Sequence, residues 1–324
     1  MHLRASVKKQ TQMVISRVDE SMQKTVAIIV TYNPDREVLR ISIRSLETQV
    51  DHIIIIDNAS HQYMVDQVSC GDCSILTVIE LSSNMGLAAA QNLGISEAKN
   101  LGATHVMLLD QDSIVSEGML AKLHEASSLI KKRGVCKIGA IGPLLRDQSL
   151  QHVSKHRCFG AFGVGHCECD ANSDVVKVDY LIASGSLIEI ATLDQVGGME
   201  EGFFIDHIDT EWTLRAASKG FYSWGHCTAI MDHSMGYERR RIWFGRWRNI
   251  PIHSPSRYYY VFRNGIAMHA RSYVDRRWKK LDILRMIQYI IVIIILHPDR
   301  YESIRMVIRG VRDGIQKKSG PLRL

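Results

Sequence analysis

Four short apolar runs, each closed by a polar cluster, set the pattern of the first third of the chain. Thr25 to Val30 leads into Thr31, Tyr32, Asn33 and Pro34, and His52 to Ile56 into Asp57, Asn58, Ala59 and Ser60. Ser74 to Leu81 leads towards Asn84, and Val106 to Leu109 into Asp110, Gln111, Asp112 and Ser113. Apolar runs this short, with no polar face, read as buried parallel strands. Between them the period changes to a helical one. Arg36 to Thr48 puts Val38, Ile41 and Leu46 on one side, and the segment from Asn84 to about Asn100 carries Ala88, Ala89, Ala90 and Gly94. Those small residues predict a helix packed close to its neighbour, and Gly102 supplies its left-handed terminator. Strands and helices alternating with short links predict a right-handed parallel α/β unit with helices on both faces of the sheet.

From Ile138 the periodicity weakens, and Gly139 to Asp170 reads as loops or short strands inserted before the apolar stretch Val175 to Ile188. A helix is predicted from Asp209 to Lys219, ended by Gly220, then a strand from Phe221 to Ile230. Another helix is predicted around Arg257 to Ala270. Leu284 to Leu296 is strongly apolar yet shorter than the roughly 20 residues a membrane span needs. It suits either a core helix or one lying in a membrane interface. Arg300 to Lys318 sets Arg305, Arg309 and Arg312 opposite Ile304, Val307, Ile308 and Val311, an amphipathic basic helix. The expected organisation is an N-terminal extension over 1–24, a catalytic domain over 25–250 and a basic helical region over 251–324. The catalytic domain divides into a donor half at about 25–115 and an acceptor half at about 116–250.

Composition adds little to this except through charge. The formal net charge is +6, and Gly236 to Lys280 holds twelve Lys or Arg against Glu238 and Asp275. A field of that sign predicts a polyanionic partner: nucleic acid, an anionic membrane surface or a phosphorylated substrate. The interleaved Arg257, Tyr258, Tyr260 and Arg263 suit base stacking, but no nucleic-acid fold motif accompanies them, so nucleic acid is set aside. The N-terminus has no apolar core of signal-peptide length, which points to a cytosolic chain. Seven cysteines, odd in number and irregularly spaced, argue against a disulfide framework. Cys70 and Cys73 lack the context of a redox pair. Cys158, Cys167 and Cys169, with His156 and His166, match no regular zinc spacing and read as core or loop thiols.

The candidate chemistry lies at the carboxyl ends of the predicted strands, where open α/β sheets bind ligands. If the chain stays extended through Asp110 and Asp112, both carboxylates point one way, a spacing suited to a divalent cation and the diphosphate it neutralises. The alternative is that they cap a helix beginning near Ser116. Asp209 is likewise either a helix cap or, with Asp206 and His207 beside it, a catalytic acid.

Taken together, Thr31-Tyr32-Asn33, Asp57-Asn58-Ala59-Ser60, the Asn84 to Gly94 block, Asp110-Gln111-Asp112-Ser113 and Asp206 to Arg215 resemble, in order, the motifs of the inverting family 2 glycosyltransferases. The likeness covers about Thr25 to Lys318, and within the family it is to bacterial rhamnosyltransferases of O-antigen and surface polysaccharide assembly. The resemblance implies a GT-A fold: a mostly parallel central sheet with helices on both faces, here followed by C-terminal amphipathic helices. It implies that Thr31, Tyr32, Asn33, Asp57, Asn58, Asn84, Gly86, Asn92, Asp110 and Gln111 bind the nucleotide sugar. Asp57 would read the imide N–H of uracil or thymine, and Asn84 and Gly86 would start the segment under the diphosphate. Asp112, Asp110 and His233 would hold Mg2+ or Mn2+, with Asp112 the direct ligand and Asp110 nearer the ribose.

Asp209 would be the base, with Asp206 the alternative because Ile208 stands where many members have Glu. Gly185, Ser186, Trp212, Arg257, Arg263 and Asn264 would face the acceptor. The donor implied is dTDP-rhamnose, with galactofuranose, glucose or N-acetylglucosamine on UDP as alternatives. The acceptor implied is an oligosaccharide on a polyprenyl diphosphate, at the cytoplasmic face of the inner membrane with anionic lipid as partner. A nucleotidyltransferase would need a basic, Gly-rich turn after the first strand, which Thr31 to Pro34 is not. A non-enzymatic membrane-surface scaffold is the reading from a different class.

Overall fold

The computed structural model describes residues 23–61, 73–134, 136–147, 152–160, 164–169, 173–233, 238–243 and 247–323, with the backbone alone at 73, 152, 164, 233, 238–243 and 247–251. Residues 1–22 of the expected N-terminal extension lie outside these. The four apolar runs form β1 (Thr25–Thr31), β2 (His52–Asp57), β3 (Leu76–Glu80) and β4 (His105–Asp110). β1 pairs in parallel with both β2 and β4, and β2 with β3, so the first part of the sheet runs β3-β2-β1-β4. Two helices connect them. α1 (Arg36–Leu46) is capped by Asp35, whose carboxylate accepts from the N–H groups of Glu37 and Val38. α2 (Leu87–Asn100) lies so close to β1 that a Cβ on Gly94 would stand 2.4 Å from Ile28. The small-residue expectation is borne out here.

The second half of the sheet departs from the sequence reading. Gly139 to Asp147, expected as loops or short strands, belongs to an eleven-residue strand, β6 (Lys137–Asp147). Ala140 and Ile141 are buried there, yet Gly139, Gly142 and Pro143 hide the alternation that would have marked a strand. Before it come a short β5 (Ser113–Val115) and α3 (Met119–Arg133), whose cap is the left-handed Gly118. The helix expected near Ser116 therefore begins beyond the acids, and the capping alternative for Asp110 and Asp112 falls. β7 (His152–Val153) pairs with β6, and β8 (Arg157–Phe159) with β9 (Val164–His166) form a separate hairpin. β10 (Val175–Val178), β11 (Ser186–Glu189) and β12 (Phe221–His233) complete the sheet, in the order β10-β12-β6-β11-β4. β11 is antiparallel to β4, and β12 parallel to β6, which makes the sheet mixed though mostly parallel.

The cysteine expectation is overturned. Cys158 pairs with Cys167 across the β8–β9 hairpin, and Cys169 pairs with Cys227 on β12. Antiparallel pairing brings Cα158 to 5.5 Å from Cα167, inside the range a disulfide spans. Irregular spacing in sequence concealed this, because the pairing depends on a hairpin and on a strand 58 residues downstream. Cys136 is the free cysteine among the described residues, and Cys70 lies outside them.

Helices α4 (Ile190–Val196) and α5 (Ile208–Ser218) cover one face of the sheet. A second hairpin, β13 (Glu238–Trp243) and β14 (Trp247–Ile252), leads to three C-terminal helices: α6 (Pro255–His269), α7 (Arg276–Leu296) and α8 (Arg300–Ile315). α6 and α8 pack along each other, and Tyr258, Phe262, Met286, Ile293 and Val307 form a core that all three helices share. Among the described residues no helix is long and apolar enough to cross a membrane.

Candidate active site

The strand order reverses at β1, between β2 and β4, and the crevice this opens at the carboxyl ends is where such sheets bind ligands. Parallel register sets Thr31 beside Asp57 and Val30 beside Asp110. Asp57 is almost fully buried. Its Oδ1 accepts from the hydroxyls of Thr31 at 2.7 Å and Ser60 at 2.6 Å, and its Oδ2 from the Ser60 N–H at 2.9 Å. Asn33, left-handed at φ 47°, donates its N–H to the Ser60 hydroxyl and accepts from the His61 N–H. The half-exposed Tyr32 donates its N–H to Gln111 Oε1 at 2.9 Å, which ties the ends of β1 and β4 together. Asn58 donates to Asn84 Oδ1 and accepts from the Met85 N–H, fixing the turn that holds Gly86. Gly86 sits at φ 88°, and a Cβ there would stand 2.6 Å from the Phe204 ring, so this close approach needs glycine.

Asp110 ends β4, but the chain turns at Gln111 and Asp112 before β5. The extended-chain premise for the two carboxylates is therefore corrected: Asp110 precedes the turn and Asp112 lies in it. Ser184 holds that turn. Its Oγ accepts from the Asp110 N–H at 3.1 Å and lies 2.6 Å from Ser113 Oγ. The same corner reaches the other candidate acid, since the Ala183 N–H bonds the Asp209 carboxylate. Gly185, at φ 80°, donates to the Leu108 carbonyl, and a Cβ on it would meet Pro143 at 2.8 Å. Ala183 to Gly185 is thus the joint between the Asp110 turn and Asp209. The sequence signal for this joint is Ser184-Gly185-Ser186, in which Ser184, outside the expected site, makes the side-chain contacts to the turn.

Asp209 lies in the first turn of α5, whose cap is His207, and it lines a small cleft with Leu108, Ala183, Ser186 and Trp212. Burial pushes its carboxyl above the usual range, nearby Asp206 adds to this, and the Thr210 N–H at 2.7 Å partly offsets it. Asp206 is differently placed: Arg257 grips its carboxylate, with Nη2 to Oδ1 at 2.9 Å and Nε 3.2 Å from both oxygens. His207 is buried, and desolvation followed by the charge of Arg285 lowers its pKa to about 4.

The loop ahead of Asp209 is held in an uncommon conformation. Phe204, Asp206 and His207 all have φ near +65°. Asn264 donates to the carbonyls of Phe203, Ile205 and Asp206, and Arg263 to those of Gly202, Phe203 and Gly320. Both side chains are buried, which moves Arg263 and Asn264 from the expected acceptor surface to the inside of the loop.

Trp212 borders the Asp209 cleft from the core side. It is buried in the core with its indole N–H on the Gly197 carbonyl at 2.8 Å. Ser186 is buried on β11, its hydroxyl on the Ile182 carbonyl. Asn92 spends its amide on Met199 and Glu201, anchoring α2 to the loop that follows α4. A residue-type match cannot reveal such inward facing, because the polar group is spent on backbone.

Among the described residues no group of three His, Cys, Asp or Glu could hold a metal ion. Asp110 and Asp112 still fit a hard divalent cation, because magnesium is usually held by one or two carboxylates with substrate phosphates and water. Antiparallel pairing of β12 with β5 sets the backbone of His233 opposite Ser113, next to this turn, while its side chain lies outside the described residues.

These features gather polar groups at the carboxyl ends of an α/β sheet, with the half-buried Asp209 joined to the Asp110 turn through Ala183 to Gly185. The sequence profile of Glycosyl transferase family 2 matches residues 26–136, and the chain carries a domain of that family. It is 29% identical over 300 residues to the dTDP-rhamnosyl transferase RfbF of Shigella flexneri, covering 91% of this chain and 96% of that one. Its fold is similar to S. aureus TarS 1-349, solved in complex with UDP-GlcNAc, with a TM-score of 0.57 at 15% identity over 91% of this chain and 81% of that one. A second S. aureus TarS structure matches with a TM-score of 0.50 at 14% identity, over 91% of this chain and 55% of that one. The chain is a glycosyltransferase with a GT-A-like fold.

Proposed function

We propose that the protein transfers L-rhamnose from dTDP-L-rhamnose, with inversion, to an oligosaccharide carried on a polyprenyl diphosphate, in O-antigen or cell-surface polysaccharide synthesis at the cytoplasmic face of a bacterial inner membrane. The observation that carries the reaction is the Ala183 to Gly185 joint, which binds the Asp110 turn on one side and Asp209 on the other. The likeness to a dTDP-rhamnosyl transferase along 91% of the chain supports the donor. Residues 25–115 hold the nucleotide sugar, 116–250 the acceptor sugar, and 251–324 face the lipid.

Asp57 reads the base. A carboxylate offers about four acceptor positions, and three are used internally, which leaves one for the imide N–H of thymine. Asp110 and Asp112 are the residues that would hold a divalent cation, whose chemistry is to neutralise charge on the departing nucleotide diphosphate. Asp209 accepts the proton of the acceptor hydroxyl. Burial raises its pKa and so strengthens it as a proton acceptor, whereas the Asp206 carboxylate is gripped by Arg257. One carboxylate base and no internal nucleophile give a single displacement at the anomeric carbon and so inversion. The bond from that carbon to the diphosphate oxygen breaks as the bond to the acceptor oxygen forms.

A UDP donor is the second reading, because the Asp57 contact is to an imide that uracil and thymine share. Nucleotide release from a panel of dTDP- and UDP-sugars, with a lipid extract as acceptor source, separates the two. Release of dTDP from dTDP-rhamnose at least about 100-fold above every other donor is expected, and a preference for any UDP-sugar would refute the rhamnosyl assignment.

A further inference from the structure

We propose that the outward face of α7, with the adjoining outward row of α8, is a docking surface for an anionic lipid bilayer. This rests on the reading of a membrane-borne acceptor and names the surface that would meet the membrane. α7 turns Trp278, Asp282, Met286 and Ile293 into the protein. Its opposite side should then be polar, as on a surface helix of a soluble protein. Instead it exposes Ile283, Leu284, Ile287, Ile291, Ile294 and Ile295, with Ile295 66% exposed. The stripe is about 18 Å long at the helical rise per residue. An apolar patch of this kind on the surface marks an interaction site.

Charge selects the occupant. The stripe itself holds no acid; exposed Arg276 and Lys280 lie before it, and Arg300, next to exposed Asp299, lies after it. On α8 the exposed row is Tyr301, Arg305, Ile308, Arg312 and Ile315, apolar and cationic by turns, with Tyr301 82% exposed. A second copy docking through the same face would set one basic surface against another. Anionic headgroups would pair them, while isoleucines enter the acyl boundary and tyrosine stays at the interface. The helix also stands next to the chemistry. Arg285, between Leu284 and Ile287, has Nη2 3.1 Å from His207 Nε2, two residues before Asp209. Docking through α7 would hold the catalytic loop near a lipid-borne hydroxyl.

The test is cosedimentation of the purified full chain with vesicles of phosphatidylcholine alone or with phosphatidylglycerol, at low and high salt. Binding to the anionic vesicles only, with much of the protein released by salt, is expected. Ile287→Gln with Ile291→Gln and Ile294→Gln, and separately Arg276→Glu with Lys280→Glu and Arg300→Glu, should each weaken partitioning about tenfold or more. These positions are exposed, so thermal melts should match the wild type. The proposal is overturned if the protein stays in the supernatant with anionic vesicles at low salt, binds both vesicle types equally, or binds as well after either set of substitutions. It is also overturned if light scattering shows a dimer that the isoleucine variant dissociates. Rhamnosyl transfer to a detergent-solubilised lipid acceptor is assayed in parallel. Transfer without vesicle binding defeats the docking surface alone, and vesicle binding without transfer from any donor defeats the functional reading alone.

Discussion

Asp209 and Asp112 carry opposite demands on a carboxylate. Burial makes the ionised form of Asp209 costly, so the residue is poised to take a proton, and the fold bears the cost of its charge. A carboxyl group whose folded pKa is raised stabilises the fold below its unfolded pKa, and that contribution is lost as pH rises through the folded value. At neutral pH its ionisation therefore opposes folding. Asp209→Asn should lower transfer by about 1,000-fold or more while leaving donor affinity within about threefold and the melting temperature equal or higher. The acid limb of the wild-type kcat profile should lie above the ordinary aspartate range. A variant with near-normal kcat, or a wild-type limb at the usual value, would return the proton to another group. Asp112, by contrast, sits in a turn after β4, where on the proposed reading its negative charge would serve the cation. Asp112→Asn should reduce activity by about 100-fold or more without changing the melt, and EDTA should do the same to the wild type until magnesium or manganese is restored. Full activity in excess chelator refutes this assignment.

At the scale of elements, the loop ahead of Asp209 owes its shape to a helix that follows it by some fifty residues. Three left-handed residues in four positions persist only where neighbours over-determine them, and α6 supplies the clasp through Arg263 and Asn264. Asn264→Leu keeps the volume but leaves the carbonyls of Phe203, Ile205 and Asp206 without their shared donor. A stability loss of about 2–4 kcal/mol and a fall in kcat of about tenfold or more, with donor affinity retained, are expected from denaturant titration and initial rates. Unchanged kcat in the folded variant would reduce the clasp to scaffolding. This division explains what the sequence made legible. Strands β1, β2 and β4 and the polar groups at their ends are local, so apolar runs and turn residues expose them. The clasp, the Ser184 joint and both disulfides join residues 9 to 74 positions apart, the extremes being Cys158 with Cys167 and Ser184 with Asp110. No local pattern distinguishes an Arg263 that binds backbone carbonyls from one that meets a substrate. β6 escaped notice for a different reason, since glycine and proline interrupted a strand whose neighbours on both sides complete its bonding.

Across the whole molecule, the interior is built around neutral histidines, and this sets its response to acid. His105 lies under the sheet at the start of β4, His207 caps α5, and His253 packs between Tyr258 and Tyr289 beneath the C-terminal helices. Burial, as the leading cause in each, lowers all three to about 4. Second causes differ: His124 for the first, Arg285 for the second and Arg257 for the third. A histidine depressed in the folded state contributes stability above its unfolded pKa of about 6.5, and that contribution is lost as pH falls through the folded value. The three sites lie in β4, in the loop ahead of Asp209 and beneath the C-terminal helices, so protonation acts on three separate parts of the fold within one pH window. The melting temperature should be flat from about pH 8 to 7, and then fall steeply between about 6.5 and 4. His207→Gln should reduce that slope, because its share of the proton uptake on unfolding disappears. A melting temperature constant down to pH 4 would mean that the histidines are charged or solvated in the folded state.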